Sequence, residues 1–492
     1  MSQQNQVLIP PLTCGGTGSA HRAGWKDIIG RGAAPGRHSL LAVSRFDKLV
    51  EKIARRPGDA VVWQERTYRC GELDRRRRHW QQWLVSHEIQ PGEVVGLSAD
   101  HAFDSIAIFL ALLSNRNVAA LLSPAATDSA PLLASARARH HITARHDGDA
   151  SYHSVTSGAG HPLLDTLRES GSGGFVVFSS GSTGAPKAVL HNIERFLTKF
   201  DRANKPLRTL AFLLLDHIAG VDTLFYTLCS GGVVVCPVSR DVEAVCRLIE
   251  SQRVEVLPAS PTFLNLLCLS QADADYDLES LRIITYGSEP MSRHVLQSVT
   301  RRFPQCRVIQ KYGTSEFGSP LSQSKNDDSL WIRIGSDHCR YRVVDNLLWI
   351  KSDSAMLGYL NAPNPFSQDG WLCTGDEAVS DGPWIHILGR RSEVIVVGGE
   401  KVSPVEVENT LLEMPEMLDV AVYGEPHPLT GHIVAARIRM RSVPKDVRGL
   451  KQSIRRFCRT RLEPYKIPVK FSFTTQPLAS PRQKKIRRKE SS

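Results

Sequence analysis

The chain has 492 residues, with 61 Lys and Arg against 50 Asp and Glu, for a formal charge of +11. That length allows two to four domains and a sizeable core, and the ordinary composition excludes a disordered, collagenous or disulfide-stapled chain. The positive charge gathers at residues 75–78, four consecutive arginines, and at residues 481–492, where six basic residues accompany Glu490 alone. Neither cluster carries a nucleic-acid recognition motif, so both read as solvated surface and no nucleic-acid partner is expected. Ten cysteines lack any Cys-x-x-Cys pair or ligand-like spacing with histidine and read as free thiols of a reducing compartment. No secretory pattern opens the chain. The apolar stretches 106–113 and 210–228 are too short or are broken by Asp216, His217 and Asp222, so no membrane span and a cytoplasmic location are expected.

Residues 1–40 are rich in Gly, Ser, Gln and Pro without periodicity, which predicts a loosely ordered arm. From about residue 41, helical patterns alternate with short β-branched runs at 61–63, 94–98, 118–122, 175–178, 210–215, 233–237, 254–258 and 281–286. Strands alternating with helices predict an α/β fold with largely parallel sheet. The four arginines fall on a predicted helix through Trp80 and Trp83. Beyond about residue 320 the pattern changes to short strands with turns, at 347–351 and 384–388. Near Gly389 an α+β unit begins, with strands at 420–423 and 432–439 and a basic helix at 446–461. Ser403-Pro-Val-Glu406 has the form of a capping box with proline at the first helical position. The expected organisation is a large domain of layered sheets and helices, 1–388, followed by a small α+β domain, 389–492.

The apolar run 175–178 empties into Ser179, Ser180, Gly181, Ser182, Thr183 and Gly184, then Ala-Pro-Lys187. Two glycines without side chains let backbone N–H groups and hydroxyls approach a polyanion, and Lys187 adds a mobile positive charge. The spacing is not that of the Gly-x-x-x-x-Gly-Lys phosphate loop. A polar surface loop is the other reading of such a segment.

Further segments come into register with this loop, and together, over about residues 67–488, they resemble the acyl-adenylate-forming superfamily of acyl- and aryl-CoA ligases and peptide-synthetase adenylation domains. The loop is similar to that family's Thr-Ser-Gly-Thr-Thr-Gly-x-Pro-Lys-Gly, with Ala188 for the last glycine; the resemblance implies that it grips the β- and γ-phosphates of ATP. Lys311-Tyr-Gly-Thr-Ser-Glu316 resembles Tyr-Gly-x-Thr-Glu. It implies Tyr312, with Gly313, against adenine, Ser315 on the α-phosphate and Glu316 on Mg²⁺. Gly287, Ser288, Glu289 and Pro290 are similar to a segment lining the adenine pocket. Gly370-Trp-Leu-Cys-Thr-Gly-Asp376 resembles Trp-x-x-Thr-Gly-Asp, in which Asp376 accepts the ribose hydroxyls; residues 348–359 match a family strand and turn and read as structural.

In the small domain the resemblance implies that Arg390 reaches ribose or phosphate and that Ser392 stands at a hinge. It also implies that the small domain is mobile and that Gly399 lines a channel for the acceptor thiol. Residues 478–488 are similar to Pro-x-x-Pro-x-Gly-Lys-Ile-x-Arg, which makes Lys485, or else Lys484, the lysine that bridges carboxylate and α-phosphate. Leu214-Leu-Asp-His-Ile-Ala-Gly220 resembles Pro-Leu-Phe-His-x-x-Gly, with His217 and Gly220 bordering the acid and Asp216 in place of an aromatic residue. Asp216 either reads a polar group of the substrate or bonds a nearby backbone N–H.

The implied function is ATP-dependent adenylation of a carboxylic acid, then transfer to the thiol of coenzyme A or of phosphopantetheine on a separate acyl or peptidyl carrier protein. An adenylating enzyme that uses an amine acceptor or another small acid is the first alternative. A non-catalytic nucleotide-binding relative is the second.

Overall fold

Alternating strands and helices assemble into stacked sheets in the computed structural model, which describes residues 44–145, 148–155, 160–179, 186–201, 205–336, 338–442, 445–480 and 485. All of them belong to one unit, Ser44–Ser492. The predicted arm at residues 1–40 lies outside the described residues. A seven-stranded sheet runs Arg307–Gln310, Ile283–Tyr286, Val256–Ala259, Arg208–Leu210, Val233–Val235, Asp59–Trp63, Arg66–Arg69. Its neighbours are parallel except for the last pair. A second seven-stranded sheet has a parallel centre, Gly174–Ser179, Val118–Leu122, Val94–Ser98 and His140–Ala144, flanked by antiparallel strands that include Lys187–Asn192.

Between these sheets lies the helix Phe103–Ser114, which touches Asp59–Trp63 on one side and Val118–Leu122 on the other. From Ile106 to Leu113 its sequence is apolar on every face, the pattern of a helix stretch with no solvent side. Phe109 at its middle is fully buried and meets Phe175 and Phe225 edge-on. A third, six-stranded sheet is antiparallel throughout and includes Leu347–Ser352, Leu372–Asp381 and Trp384–Arg390. The last sheet spans Ile395–Val397 to Lys470–Thr474 and has a hydrophobic core drawn only from Ile395 onward. The arrangement is mixed α/β with a large N-terminal part and a smaller C-terminal one. Among the described residues no helix is long and apolar enough to cross a membrane, and nine cysteines are free.

Three local expectations are corrected. The run 210–215 is strand only to Leu210. Beyond it, side chains take the carbonyls that a ladder would use: Arg240 Nε donates to Phe212 O, and His101 Nε2 lies 3.0 Å from Leu213 O. The arginines of the helix Cys70–Ser86 are not all solvated. Arg77 is buried and bonds Asp74 at 2.7 Å, and Arg76 pairs with Asp104. At the helix Pro404–Leu411 the proline takes its expected place, but the Ser403 side chain makes no cap bond, and the Glu406 carboxylate is held 2.8 Å from Lys466 Nζ.

Candidate active site

Parallel strands leave their carboxyl ends open, and in such sheets the crevice beyond those ends is where ligands bind. Here the ends of Val256–Ala259, Ile283–Tyr286 and Arg307–Gln310 open into a cavity of about 1100 Å³, closed on other sides by the second and third sheets. Gly287 and Ser288 continue one strand into the cavity wall; Lys311 and Gly313 continue the next. Lys311 N donates to Tyr286 O at 2.7 Å, which carries the pairing one residue past the ladder. A Cβ on Gly287 would stand 2.5 Å from Lys311 O, so the two strand ends come this close only because residue 287 has no side chain. Gly287→Ala is expected to destabilise the protein by about 1–3 kcal/mol, as overpacking against backbone does, read as a lowered denaturation midpoint.

Ser179 and Lys187, on either side of the loop after Phe178, both line the cavity; Ser180, Gly181, Ser182, Thr183 and Gly184 lie outside the described residues. The Lys187 ammonium sits 5.0 Å from the centre of the Tyr359 ring. The Tyr359 hydroxyl donates to Glu316 Oε1 at 2.7 Å, and Met356 N donates to Glu316 O at 2.7 Å. Burial and the Glu316 carboxylate push the Tyr359 phenol well up, so it stays a donor. Ser315 also lines the cavity, and its carbonyl lies 2.7 Å from His191 Nε2; burial pulls that imidazole down to about 3, which keeps it neutral. A second cluster forms where the third sheet meets the cavity. Asp376 Oδ2 accepts from the Tyr312 hydroxyl at 2.5 Å and Oδ1 from Arg390 Nε at 3.1 Å. Burial raises the Asp376 carboxyl above its ordinary range, against the pull of Arg390 and Tyr312.

Of the residues singled out from sequence, Ser179, Lys187, His217, Gly287, Ser288, Gly313, Ser315, Glu316 and Arg390 line this one cavity. Others stand behind its wall. Tyr312 is buried with its hydroxyl committed to Asp376, itself 6 % exposed. Glu289 accepts from Thr262 Oγ1 at 2.7 Å and from the Lys485 backbone N–H, and Pro290 follows it outside the lining. Gly220 packs where any side chain would strike Leu214 O. Asp216 is buried and interacts with the protein around it, but is not part of the wall. Gly399 is exposed at a turn with φ of +95° and does not line it. The Lys485 ammonium turns into its own sheet, 2.9 Å from Val420 O, 3.1 Å from Asp419 Oδ1 and 3.7 Å from Glu408 Oε2. Lys484 lies outside the described residues.

Sequence reading passed over much of the wall, including Tyr359, Asp222, Lys311 and Lys199. Tyr359 closed a stretch read as structural, yet its hydroxyl holds Glu316. Asp222 was visible only as an acid interrupting an apolar run, and Lys311 only as the residue before Tyr312. Lys199, paired with Asp222, had no local signal.

Residues 49–360 match a family described as AMP-binding enzyme, and residues 406–485 match the AMP-binding enzyme C-terminal domain. A 2-succinylbenzoate–CoA ligase of Bacillus licheniformis is 31 % identical over 327 residues, 61 % of this chain and 65 % of that protein. A 4-coumarate–CoA ligase-like protein of Arabidopsis thaliana is 26 % identical over 345 residues, 64 % of this chain and 60 % of that one. The matches thus span somewhat under two thirds of either relative's length. Among solved structures, an anthranilate CoA ligase in complex with anthranoyl-AMP has the same fold, with a TM-score of 0.74 at 20 % identity over 90 % of this chain and 96 % of that one. The chain belongs to the AMP-binding enzyme family.

Proposed function

We propose that the chain uses ATP to activate a carboxylic acid as an acyl or aryl adenylate and then forms a thioester. The observation that carries this reading is one cavity that gathers the Ser179 and Lys187 ends of the loop, His217, the Ser315–Glu316 turn and Arg390 from segments far apart in sequence. In the first step a carboxylate oxygen attacks the α-phosphorus in line and pyrophosphate leaves. The protein's contribution is position and charge. Lys187 and the loop stabilise the departing phosphates, Ser315 bonds the α-phosphate, and Asp376 with Arg390 holds the ribose. In the second step a thiol that has lost its proton attacks the acyl carbon and AMP leaves. Coenzyme A is the acceptor we favour, since both curated relatives are CoA ligases or like them; phosphopantetheine on a separate carrier protein has the same reacting thiol.

We assign Mg²⁺ to Glu316. Its Oε1 is held by Tyr359, and no cluster of three or more metal-ligating side chains exists among the described residues. One carboxylate suits an ion that arrives largely ligated by phosphate and water. When bound, the ion neutralises charge on the leaving pyrophosphate. Tyr359→Phe is expected to lower exchange activity about tenfold, the worth of one hydrogen bond to a charged group, and to raise the Mg²⁺ concentration for half-maximal rate. We further propose a domain boundary at residues 388/389, supported by a C-terminal core drawn only from Ile395 onward, and a cytoplasmic location, supported by free cysteines.

The test is ATP–pyrophosphate exchange across a panel of carboxylic acids, followed by thioester formation on added coenzyme A. Exchange with at least one acid is the expected result; none with any acid overturns the reading. Exchange without a thioester on coenzyme A moves the acceptor to a carrier protein or an amine.

A further inference from the structure

One wall of the cavity carries three ionisable groups that the adenylation chemistry above leaves without a task. Lys199, Asp222 and Lys311 all line the wall where the helix Ile218–Ser230 faces the end of the strand Arg307–Gln310. Lys199 and Asp222 close on each other, Nζ to Oδ1 at 2.5 Å, with both side chains less than a tenth exposed. The remaining contacts of this pair are supplied by protein: Ser319 N donates to Asp222 Oδ2 at 2.7 Å, and the Lys199 ammonium lies 3.8 Å from the Phe196 ring centre. Gly318, at φ of +69°, folds the chain over the pair where a side chain would collide with Lys199 Nζ and approach Asp222 Oδ2 to 2.8 Å. This is a built ion pair in which both oxygens of Asp222 are engaged.

Lys311 is the charge left over. Among the described residues no group accepts a hydrogen bond from its ammonium, and the charges acting on it are Asp222, already engaged, and the like charge of Lys199. Two ammonium groups against one carboxylate leave a net positive charge in a partly desolvated wall, an arrangement that is expensive unless an anion completes it. Burial accordingly pulls the Lys311 ammonium below the ordinary lysine range. Tyr226 lines the same cavity, and burial raises its phenol, which stays protonated. An ammonium in a cavity wall matches a carboxylate far better than a hydrocarbon or a neutral hydroxyl, because a charge-assisted bond both pairs the donor and cancels the charge.

We propose that Lys311 is a specificity-determining residue that receives a second carboxylate on the acid substrate, distinct from the one that is adenylated. The substrate class is therefore dicarboxylic acids. This rests on the reading of the cavity as an acid-adenylating site, and it deepens that reading by naming what the pocket selects.

The test compares dicarboxylic acids with their own monomethyl esters, probes of nearly equal shape that lack one charge. Succinate, glutarate, adipate and phthalate form the panel, with ATP–pyrophosphate exchange as the readout. The wild-type chain is expected to prefer at least one diacid over its monoester by about tenfold or more in kcat/KM, since a site built for a polar group rejects an analogue lacking it. Lys311→Met is expected to abolish that preference through the KM of the diacid, leaving the monoester and the KM of ATP within about twofold. Lys311→Arg is expected to retain the preference. A wild-type preference for monoesters, an equal loss with both members of a pair, or a raised KM for ATP overturns the proposal, the last by making Lys311 a nucleotide ligand. If the wild type exchanges with no acid at all, the adenylation reading fails on its own. Calorimetric titration of the diacids into wild type and Lys311→Met, without ATP, then decides the present inference: binding lost in the variant supports it, and equal or absent binding overturns it. Thermal melts of each variant establish that a lost signal is not lost fold.

Discussion

Lys485→Ala is expected to lower ATP–pyrophosphate exchange by about 100- to 1000-fold, the usual effect of removing one charged or hydrogen-bonding stabiliser of a developing anion. Thioester formation from a chemically prepared adenylate is expected to stay within about threefold, because with its ammonium held at Asp419, Glu408 and Val420 O the Lys485 side chain is not engaged with the AMP that departs. The structure supplies a reason to look at both steps separately. The Lys485 ammonium rests against Asp419, Glu408 and Val420 O, while its backbone N–H donates to Glu289, beside the cavity-lining Ser288. The Lys485 backbone N–H is therefore held beside the cavity wall while its side chain is stored in its own sheet. To act on the α-phosphate the ammonium must leave two buried carboxylates, and those carboxylates keep other donors when it does: Val422 N on Glu408 at 3.0 Å and Val420 N on Asp419 at 2.8 Å. The same bonds let Lys485→Ala fold. Lys484→Ala, measured alongside, is expected to retain most exchange activity; the reverse order of effects would transfer the catalytic role to Lys484.

The reach of the sequence depended on whether a signal was local. The strands Val94–Ser98 and Val118–Leu122 stand where the apolar runs were read, because a strand buried on both faces is a continuous apolar run between turns. Lys187–Asn192 escaped that reading, since a charged first residue and a polar end disguise a strand whose place is fixed by antiparallel pairing with Gly174–Ser179. The cavity follows the same division. Its loops are short motifs and were legible. The contacts that join them are not: Tyr359 reaches Glu316 across 43 residues and Tyr312 reaches Asp376 across 64. Tyr312 shows the consequence. Its place next to the site was readable, but its hydroxyl serves Asp376, and the ring is buried behind the wall instead of facing the cavity. Lys311 carried no periodic or spacing signal, and its meaning came only from the ion pair built opposite it.

Asp376→Ala is expected to reduce kcat/KM for ATP about 100-fold and to destabilise the protein by about 2–3 kcal/mol. The second figure follows from what the change strands. The Tyr312 phenol is buried and loses its acceptor, which costs about 1–3 kcal/mol. Arg390 loses its partner but is half exposed, so solvent recovers most of that charge. Asp376→Asn separates the two effects, keeping an acceptor for Tyr312 while removing the charge; it is expected to restore most stability and little activity. The pH profile offers an independent reading of the same cluster. Burial raises the Asp376 carboxyl, and Arg390 is the largest opposing influence. The ionised form is needed to accept the ribose hydroxyls, so activity is lost as pH falls through the Asp376 pKa. Removing Arg390 removes the opposition and raises that pKa further. In Arg390→Ala the acidic limb of kcat/KM for ATP must therefore move to higher pH, and Tyr312→Phe must move it the same way by a smaller step. A limb that stays fixed in both variants would mean that Asp376 does not titrate in nucleotide binding and serves only to hold Tyr312 and Arg390 in place.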